Sequence, residues 1–349
     1  MRWTVLGTCL LTTTLLACYP SDGLQEKIDV LLQAEHDGQT AVSVAVVRRG
    51  EIVYAGTFGF EDRAKDFRAT EDSVFNLASV TKTITSVAVL QLVQDGKLSL
   101  DEKLSAILEG VPDSWSDITV LQMLSHTSGI MDYARHPDGR QIVFEDHSVT
   151  QVRETVLSWD LEFDAGEKWA YSNSAFNLLG HVVAAKSGSS YAEYLKTRIF
   201  DPAGMATAVL ETYGDIVDHR VVGMDESGGA APFINPNWSF GAGAVTCSAE
   251  DMAKFNIAVH SGKLLSADLL KLAQTPRGGE KPAGIFGLGW IINEHEGMVF
   301  VGHIGGKPGF DAAYLRQPDK DVAVIVLRGR SGGSALKTAE KIMGLLLDD

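Results

Sequence analysis

Residues 79–94 constrain the fold most, because apolar side chains cover nearly every face of the helix that this segment predicts. A helix without a polar face needs neighbours on all sides, so we expect it in the interior of the protein, ending near Gly96. The chain has 349 residues, of which 45% are hydrophobic, and can bury such a helix in a full core. The apolar residues of the segment are Val80, Ile84, Val87, Ala88, Val89, Leu90, Leu92 and Val93.

Strand patterns occur at both ends of the chain, and helical patterns fill its middle. An amphipathic helix over 25–35 precedes β-branched or aromatic runs at 42–47 and 52–58. Near the other end, four short strands are predicted at 290–293, 298–303, 311–316 and 322–327, followed by a helix over 335–347. Together these patterns predict one mixed domain whose sheet is completed by both chain ends and interrupted by a helical insertion.

Predicted boundaries divide the chain into five parts. These are a signal peptide (1–18), a tether (19–24), the first part of an α/β domain (25–97), a helical domain (98–212) and the rest of the α/β domain (213–349). Residues 225–244 are rich in Gly, Ala, Pro and Asn, and predict an ordered surface loop near a pocket. A short helix is predicted after it, over 249–261.

The N-terminus predicts export. Arg2 precedes an apolar, Thr-rich stretch over 5–17, and the tetrapeptide Leu-Leu-Ala-Cys ends at Cys18. This pattern is typical of a lipoprotein signal, with Cys18 as the lipidated residue and a polar tether after it. An ordinary cleaved secretory signal, in which Cys18 has no role, is the alternative. Both predict a periplasmic or cell-surface protein, and the first places it at a membrane only through a lipid anchor.

Charge and composition exclude several classes of partner. A net charge of -15 disfavours binding to nucleic acid or anionic lipid, and no apolar run of 18 residues follows the N-terminus. The nine His include no H-x-x-x-H pair and no C-x-x-C occurs, so we expect no metal site and no cofactor. Outside the signal only Cys18 and Cys247 remain, so disulfides are not expected to stabilise the protein.

The buried helix begins with chemically useful residues. Ser79 and Lys82 are three residues apart, so on a helix both project from one face. Burial lowers the pKa of an amine, which allows Lys82 to accept the proton of the Ser79 hydroxyl. The Ser79 N–H is one of the unpaired donors at a helix start and could face an oxyanion.

Two further motifs complement this pair. Tyr171-Ser172-Asn173 offers a phenol that could relay a proton and an amide that could contact Lys82 and a substrate carbonyl. His303-Ile304-Gly305-Gly306 ends a predicted strand, where the two glycines leave room for a substrate backbone and the Gly306 N–H could be a second oxyanion donor. We interpret His126-Thr127-Ser128-Gly129 as a capping turn without a catalytic role.

In this order and spacing, the S-x-x-K, Y-S-N and H-x-G motifs resemble the serine β-lactamase and penicillin-binding-protein superfamily, in particular its class C, esterase and D-alanyl-D-alanine carboxypeptidase branch. The resemblance implies an α/β/α sandwich with an antiparallel sheet formed by both chain ends, plus an inserted all-helical domain. It also implies Ser79 as nucleophile, Lys82 as base, Tyr171 as proton relay, Asn173 as substrate and lysine contact, and Ser79 and Gly306 as oxyanion donors.

The third motif departs from that family. Class C β-lactamases carry Lys-Thr-Gly where this chain has His303-Ile304-Gly305, so carboxylate recognition is expected to weaken, with His303 partly charged near neutral pH. We therefore expect an exported serine hydrolase that cleaves an ester or amide of a small molecule or a peptide derived from peptidoglycan, through an acyl-enzyme. An esterase or D-amino-acid peptidase is favoured; a class C-like β-lactamase and a non-catalytic peptidoglycan-binding or sensing module are the alternatives.

Overall fold

The computed structural model describes residues 23–35, 37–279, 285–332 and 334–347. The predicted signal peptide, with Cys18, and residues 19–22 of the predicted tether lie outside the described residues. None of the helices in the described ranges is both long and apolar enough to cross a membrane.

The strands form three antiparallel sheets. The largest has seven strands in the order β2-β1-β12-β11-β10-β9-β8, a second pairs β3 with β4, and the third has the order β5-β7-β6. The strands are β1 Val42–Arg48, β2 Glu51–Phe58, β3 Phe60–Asp62, β4 Phe67–Arg68, β5 Phe75–Asn76, β6 Val209–Leu210, β7 Val245–Cys247, β8 Ile285–Phe286, β9 Ile291–His295, β10 Met298–Lys307, β11 Phe310–Gln317 and β12 Val322–Arg328.

Both chain ends build the seven-stranded sheet, as the sequence predicts. Strand β1 pairs antiparallel with β12, and in this register Val44 lies opposite Val326. Strand β10 is longer than predicted, because it continues through its glycines to Lys307 while pairing with β11. This extension brings the end of β10 to the candidate site.

Helices cover both faces of the large sheet. They are α1 Leu24–Glu35, α2 Thr81–Gln94, α3 Val120–Leu124, α4 Gly139–Ile142, α5 Val149–Leu157, α6 Asn173–Ser187, α7 Tyr191–Leu195, α8 Asp201–Ala203, α9 Pro236–Gly243, α10 Ala249–His260, α11 Ala267–Ala273 and α12 Ala335–Leu347. Short 3₁₀ helices occur at Arg63–Lys65, Ala78–Val80, Leu104–Ala106 and Asp113–Trp115, and a π-helical turn at Lys196–Phe200.

The sheet separates two apolar layers, because successive side chains of a strand point to opposite faces. In β1, Val44 and Val46 pack toward the terminal helices α1 and α12, where Ile28 and Ile342 are fully buried. The alternate residues Ala45 and Val47 belong to the larger core, which contains α2 and α10. The result is the α/β/α sandwich that the family resemblance implies.

The helix over 79–94 lies in the interior, as expected. It starts as the 3₁₀ turn Ala78–Val80 and continues as α2, in which every residue from Thr81 to Leu92 is buried. Helices α6 and α9 pack beside it: the buried Asn177 of α6 donates to the carbonyls of Asn237 and Trp238 at 2.9 and 3.0 Å.

Residues 225–244 differ from the sequence interpretation. The prediction of a surface loop is wrong for the second half, where α9 is buried along its whole length. Asn235 caps this helix by accepting a hydrogen bond from the Asn237 N–H at 2.9 Å, and Pro236 occupies the first helical position. The small residues that indicate a loop instead let α9 approach α6: an added Cβ at Gly241 would lie 2.3 Å from the Phe176 carbonyl.

Candidate active site

A strained turn positions Ser79 at the start of α2. Ala78 has a φ of 44°, a left-handed conformation that is uncommon outside glycine. The Asn76 side chain holds this turn by accepting a hydrogen bond from the Ala78 N–H at 2.9 Å. Ser79 itself is partly exposed, so its hydroxyl is accessible at the base of the site.

Lys82 lies one turn along and is fully buried. Its Nζ is 3.1 Å from Ser79 Oγ, 2.8 Å from Asn173 Oδ1 and 2.8 Å from the Ala242 carbonyl. Burial lowers the pKa of Lys82 to about 7, against the opposing effect of the Asp132 charge. A neutral amine has two N–H donors, enough for Asn173 and Ala242, which leaves its lone pair for the Ser79 hydroxyl proton.

Tyr171 approaches the same hydroxyl from the other side. Its Oη lies 2.9 Å from Ser79 Oγ, and Lys82 Nζ is 4.9 Å from the centre of its ring. Burial raises the pKa of Tyr171 well above its ordinary value, while its hydrogen bond with Ser79 acts in the opposite direction. The phenol is therefore protonated at neutral pH and is ready to donate rather than to act as a resting base.

Asp132 orients Asn173 and was not identified in the sequence analysis. The Asn173 amide nitrogen donates to both oxygens of the buried Asp132 carboxylate at 3.2 and 3.3 Å, which leaves Asn173 Oδ1 facing Lys82. Arg135 is 3.4 Å from this carboxylate and donates to the Tyr171 carbonyl at 2.7 Å. A single Asp that lies 41 residues from its partner carries no spacing signal.

His126 is more closely tied to the site than a capping turn implies. Its Nδ1 accepts a hydrogen bond from the Ser172 N–H at 3.1 Å, and its ring lies 4.5 Å from that of Tyr171. Burial, with the nearby Lys82 charge, lowers the pKa of His126 well below its ordinary value. His126 is therefore a neutral ring that packs against the ring of Tyr171. In the sequence, only the two aromatic residues at 169 and 171 could have indicated this contact, and that pattern is weak on its own.

Strand β10 lies directly against the nucleophile turn. A Cβ added at Gly305 would lie 2.4 Å from the Leu77 carbonyl oxygen and 3.1 Å from the Ser79 nitrogen, so only glycine permits this approach. Gly306 is exposed, and a Cβ there would meet nothing within 4 Å. The structure thus brings the two glycines beside Ser79, and the assignment of the Ser79 and Gly306 N–H groups as oxyanion donors stays a prediction.

His303 cannot supply the charge that we expect from the sequence. It is buried, and its Nδ1–H donates to the adjacent Ile304 carbonyl at 2.6 Å. Burial lowers the pKa of His303 to about 3, with a further lowering by Lys82, although the bond to Ile304 opposes it. The expectation of a partly charged His303 near neutral pH is therefore wrong. Ile304 points outward and is 40% exposed.

Within the part of the chain that the structure describes, no group of three or more His, Cys, Asp or Glu side chains lies close enough together to hold a metal ion. Cys247 is buried, and among the described residues it has no disulfide partner.

Comparison with known proteins identifies the family of this chain. The sequence model of the family described as "Beta-lactamase" matches residues 28–344. The chain belongs to the beta-lactamase family. The resemblance in sequence is thereby confirmed, and with it the enzyme class: this member of the family is a serine hydrolase.

Two relatives of the chain are each less than 30% identical to it. Penicillin-binding protein 4* of Bacillus subtilis is 28% identical over 327 residues, which cover 86% of this chain and 72% of the relative. Protein flp of Staphylococcus aureus is 24% identical over 334 residues, covering 91% of this chain and 65% of that protein. This beta-lactamase-family chain thus spans about two thirds of the length of these relatives.

Solved structures share the fold over nearly the whole chain. A penicillin-binding protein from Bacillus halodurans superimposes with a TM-score of 0.80 at 25% identity, covering 91% of this chain and 98% of that one. The D-amino acid amidase of Ochrobactrum anthropi SV3 gives 0.81 at 21% identity, with 93% and 99% covered. These likenesses confirm the mixed α/β fold with its antiparallel sheet.

Proposed function

We propose that this serine hydrolase cleaves an ester or amide through an acyl-enzyme on Ser79. The observation that carries the proposal is the 3.1 Å contact between Ser79 Oγ and Lys82 Nζ, in a setting that lowers the pKa of the amine to about 7. Near neutral pH a substantial fraction of Lys82 is then uncharged and able to accept a proton.

In the acylation step, the Ser79 hydroxyl proton moves to Lys82 as Oγ attacks the substrate carbonyl. The N–H groups of Ser79 and Gly306 stabilise the resulting oxyanion. When the C–O or C–N bond breaks, the leaving group takes the proton of the Tyr171 phenol, which the Lys82 ammonium then replaces. Tyr171 suits this role because its hydroxyl already lies 2.9 Å from Ser79 Oγ.

Deacylation repeats these steps with water as the nucleophile. Water loses a proton to the Lys82 and Tyr171 pair, attacks the acyl carbon, and Ser79 leaves with a proton returned by the same pair. Free enzyme and a carboxylic acid are the products. Asp132 and Asn173 keep Lys82 in place throughout, since the amide is held from its nitrogen side by both carboxylate oxygens.

The proposed substrates are short esters and D-amino-acid amides or peptides, small molecules or peptidoglycan fragments. Near the leaving-group side, a neutral His303 and an apolar Ile304 replace a lysine and a threonine, which favours substrates without a carboxylate there. The named amide substrates of the similarly folded amidase are a reason to test D-amino acid amides.

A substrate panel tests this proposal. The purified protein is assayed with 4-nitrophenyl acetate and butyrate, D-alanyl peptides, D-phenylalanine amide and a chromogenic cephalosporin, with Ser79→Ala as the matched control. We expect turnover of esters or D-amino acid amides that the control lacks. A cephalosporin hydrolysed fastest would support the β-lactamase alternative, and no turnover with no covalent labelling of Ser79 would support a binding module.

We also propose that the protein is exported and anchored by a lipid on Cys18. Support comes from the sequence alone: an apolar stretch, the Leu-Leu-Ala-Cys tetrapeptide and the polar residues after it. An enzyme facing the periplasm or cell exterior would meet peptidoglycan-derived substrates there.

A further inference from the structure

Lys307 follows Gly306 at the end of β10 and separates two cavities. The larger, of about 560 Å³, also exposes Gly306. The smaller, of about 200 Å³, includes Arg220 and the ring of Phe310. Lys307, Pro308 and Phe310 line both cavities, and of these Lys307 is the nearest in sequence to the glycine pair beside Ser79.

The position of Lys307 on β10 indicates on which side of the scissile bond this residue lies. His303, Gly305 and Lys307 are alternate residues of β10 and therefore lie on the same face of the strand. Successive residues on a face are about 6.6 Å apart. Gly305 lies against the Ser79 nitrogen, whereas the ring of Tyr171 is 6.5 Å from that of His303. Because Tyr171 protonates the leaving group at the His303 end, Lys307 lies at the opposite end, beside the acyl part of the substrate.

The Lys307 amine is partly buried and has no hydrogen-bonding or ion-pair partner among the residues that the structure describes. Burial lowers the pKa of this amine to about 8, with Glu211 raising it and Arg220 lowering it. A buried ammonium without a partner is unfavourable, and an incoming anion would remove that penalty.

Arg220 adds a second positive group to the smaller cavity. Its guanidinium makes a 2.8 Å ion pair with Glu211 and lies 5.6 and 5.3 Å from the ring centres of Phe233 and Phe310. Glu211 is thus already paired with Arg220, and it stabilises the Lys307 ammonium through its charge without forming an ion pair with it. The two rings offer an apolar wall for a hydrocarbon chain beside these cations.

Two of the three acidic residues that line the larger cavity are engaged elsewhere. Asp225 Oδ1 accepts hydrogen bonds from the Ser227 and Gly229 N–H groups at 2.9 and 3.0 Å. Asp311 Oδ2 accepts one from the Ala335 N–H at 2.7 Å. These two carboxylates hold a turn and the start of α12. Glu226 also lines this cavity, and Lys307 is the one cationic side chain among the described residues that line it.

Close backbone contact keeps the cavity walls in place. A Cβ at Gly223 would lie 2.6 Å from the Gly309 carbonyl oxygen, so the segment that follows Arg220 lies directly on the β10–β11 turn. Gly309 has a φ of 83°, and its N–H donates to Ser331 Oγ at 2.8 Å. The subsite is therefore formed before a ligand binds.

We propose that Lys307, supported by Arg220, binds an anionic group, such as a carboxylate, on the acyl part of the substrate. The inference rests on the proposed acyl-enzyme function and specifies its substrate class. The predicted substrate is an ester or amide whose acyl part carries a second carboxylate, as in a dicarboxylic acid. Its apolar chain would lie beside Phe233 and Phe310.

Two esters with one leaving group test the proposal: 4-nitrophenyl hydrogen adipate, with an acyl carboxylate, and 4-nitrophenyl methyl adipate, its neutral counterpart. The readout is the ratio of their kcat/KM values after subtraction of spontaneous hydrolysis. We expect Lys307→Met to lower this ratio about 10- to 100-fold, the effect of losing a hydrogen bond to a charged group. Lys307→Arg should keep most of the preference, and Lys307→Glu should lower it further.

Lys271→Met, a change to an exposed lysine on α11, is the control and should leave the ratio as in wild type. Phosphonate labelling of Ser79 confirms that each variant is folded. If folded Lys307→Met and Lys307→Glu keep the wild-type ratio within twofold, the subsite is overturned while the proposed function stands. If wild type hydrolyses neither ester and Ser79 is not labelled, both are overturned.

Discussion

The Asn173 amide is held between two ionisable groups, since its nitrogen lies 3.2 Å from Asp132 Oδ2 and its oxygen 2.8 Å from Lys82 Nζ. Asp132 therefore affects Lys82 in two ways: through the orientation of Asn173 and through its own charge, which raises the pKa of the amine against the lowering by burial.

Removing this charge should change the pH dependence of the reaction. In Asp132→Asn the pKa of Lys82 falls, so its free-base form persists to lower pH, and the acidic limb of kcat/KM for a neutral ester should move to lower pH. We also expect kcat to fall about tenfold, because Asn173 loses a charged acceptor. Glu162→Gln, at the outer side of Arg135, is the control. If the acidic limb does not move, the charge of Asp132 does not set the pKa of Lys82, and Asp132 only orients Asn173.

Ser79 and Lys82 should act as one unit. Ser79→Ala and Lys82→Ala are each expected to lower kcat by at least about 10³-fold, and the double variant should lose little more. A serine-directed phosphonate should label wild type and not Ser79→Ala, as read by mass spectrometry of the intact protein. Labelling of another serine in Ser79→Ala would contradict the assignment of the nucleophile.

Buried neutral histidines predict loss of stability on acidification. Burial lowers the pKa of His303 and of His260 to about 3, so between about pH 6.5 and 3 the unfolded chain binds protons that the native protein does not. The stabilisation from each buried neutral histidine is fully present above pH 6.5. Below that pH, each histidine lowers the free energy of unfolding by about 1.4 kcal/mol per pH unit. His260→Gln should flatten the slope of unfolding free energy by that amount between pH 6 and 5, in urea titrations. An equal slope in both proteins would reject this account.

The third motif should restrict substrates on the leaving-group side. Neutral short-chain esters are expected to exceed cephalosporins in kcat/KM, and replacing His303-Ile304 by Lys-Thr should favour the cephalosporin by about 1 to 3 kcal/mol if new hydrogen bonds form. Because His303 stays neutral, the wild-type preference should not change between pH 6 and 8. A strong pH effect that disappears in His303→Gln would show that His303 is charged in that range.

The proposed export through a lipoprotein signal predicts a chemical mark on the mature protein. If Cys18 is lipidated, mass spectrometry of the membrane fraction should find a mature chain that begins at Cys18 with an acylated glyceryl group, and Cys18→Ser should release the enzyme from the membrane. An unmodified mature terminus at any other residue would support the ordinary secretory signal.

Sequence periodicity determined the parts of this protein that depend on near neighbours. Residues three apart on a helix share a face, so Ser79 and Lys82 could be paired from spacing alone. Alternating or β-branched runs predicted the strands at both chain ends, and the family motifs then gave the arrangement of the sheet. The helix start at Ser172, which places Tyr171 and Asn173 together, is likewise a local feature.

Only the tertiary structure decided the protonation states and the supporting contacts. Lys82 donates hydrogen bonds to Asn173 and Ala242, which are 91 and 160 residues away in the sequence, and its burial depends on these distant segments. His303 is neutral because the surrounding chain excludes water from it, which its neighbours in sequence do not indicate. The physical reason is the same in each case: a pKa and an unpaired charge depend on solvent and charges within a few ångströms, and folding brings those together from distant parts of the chain.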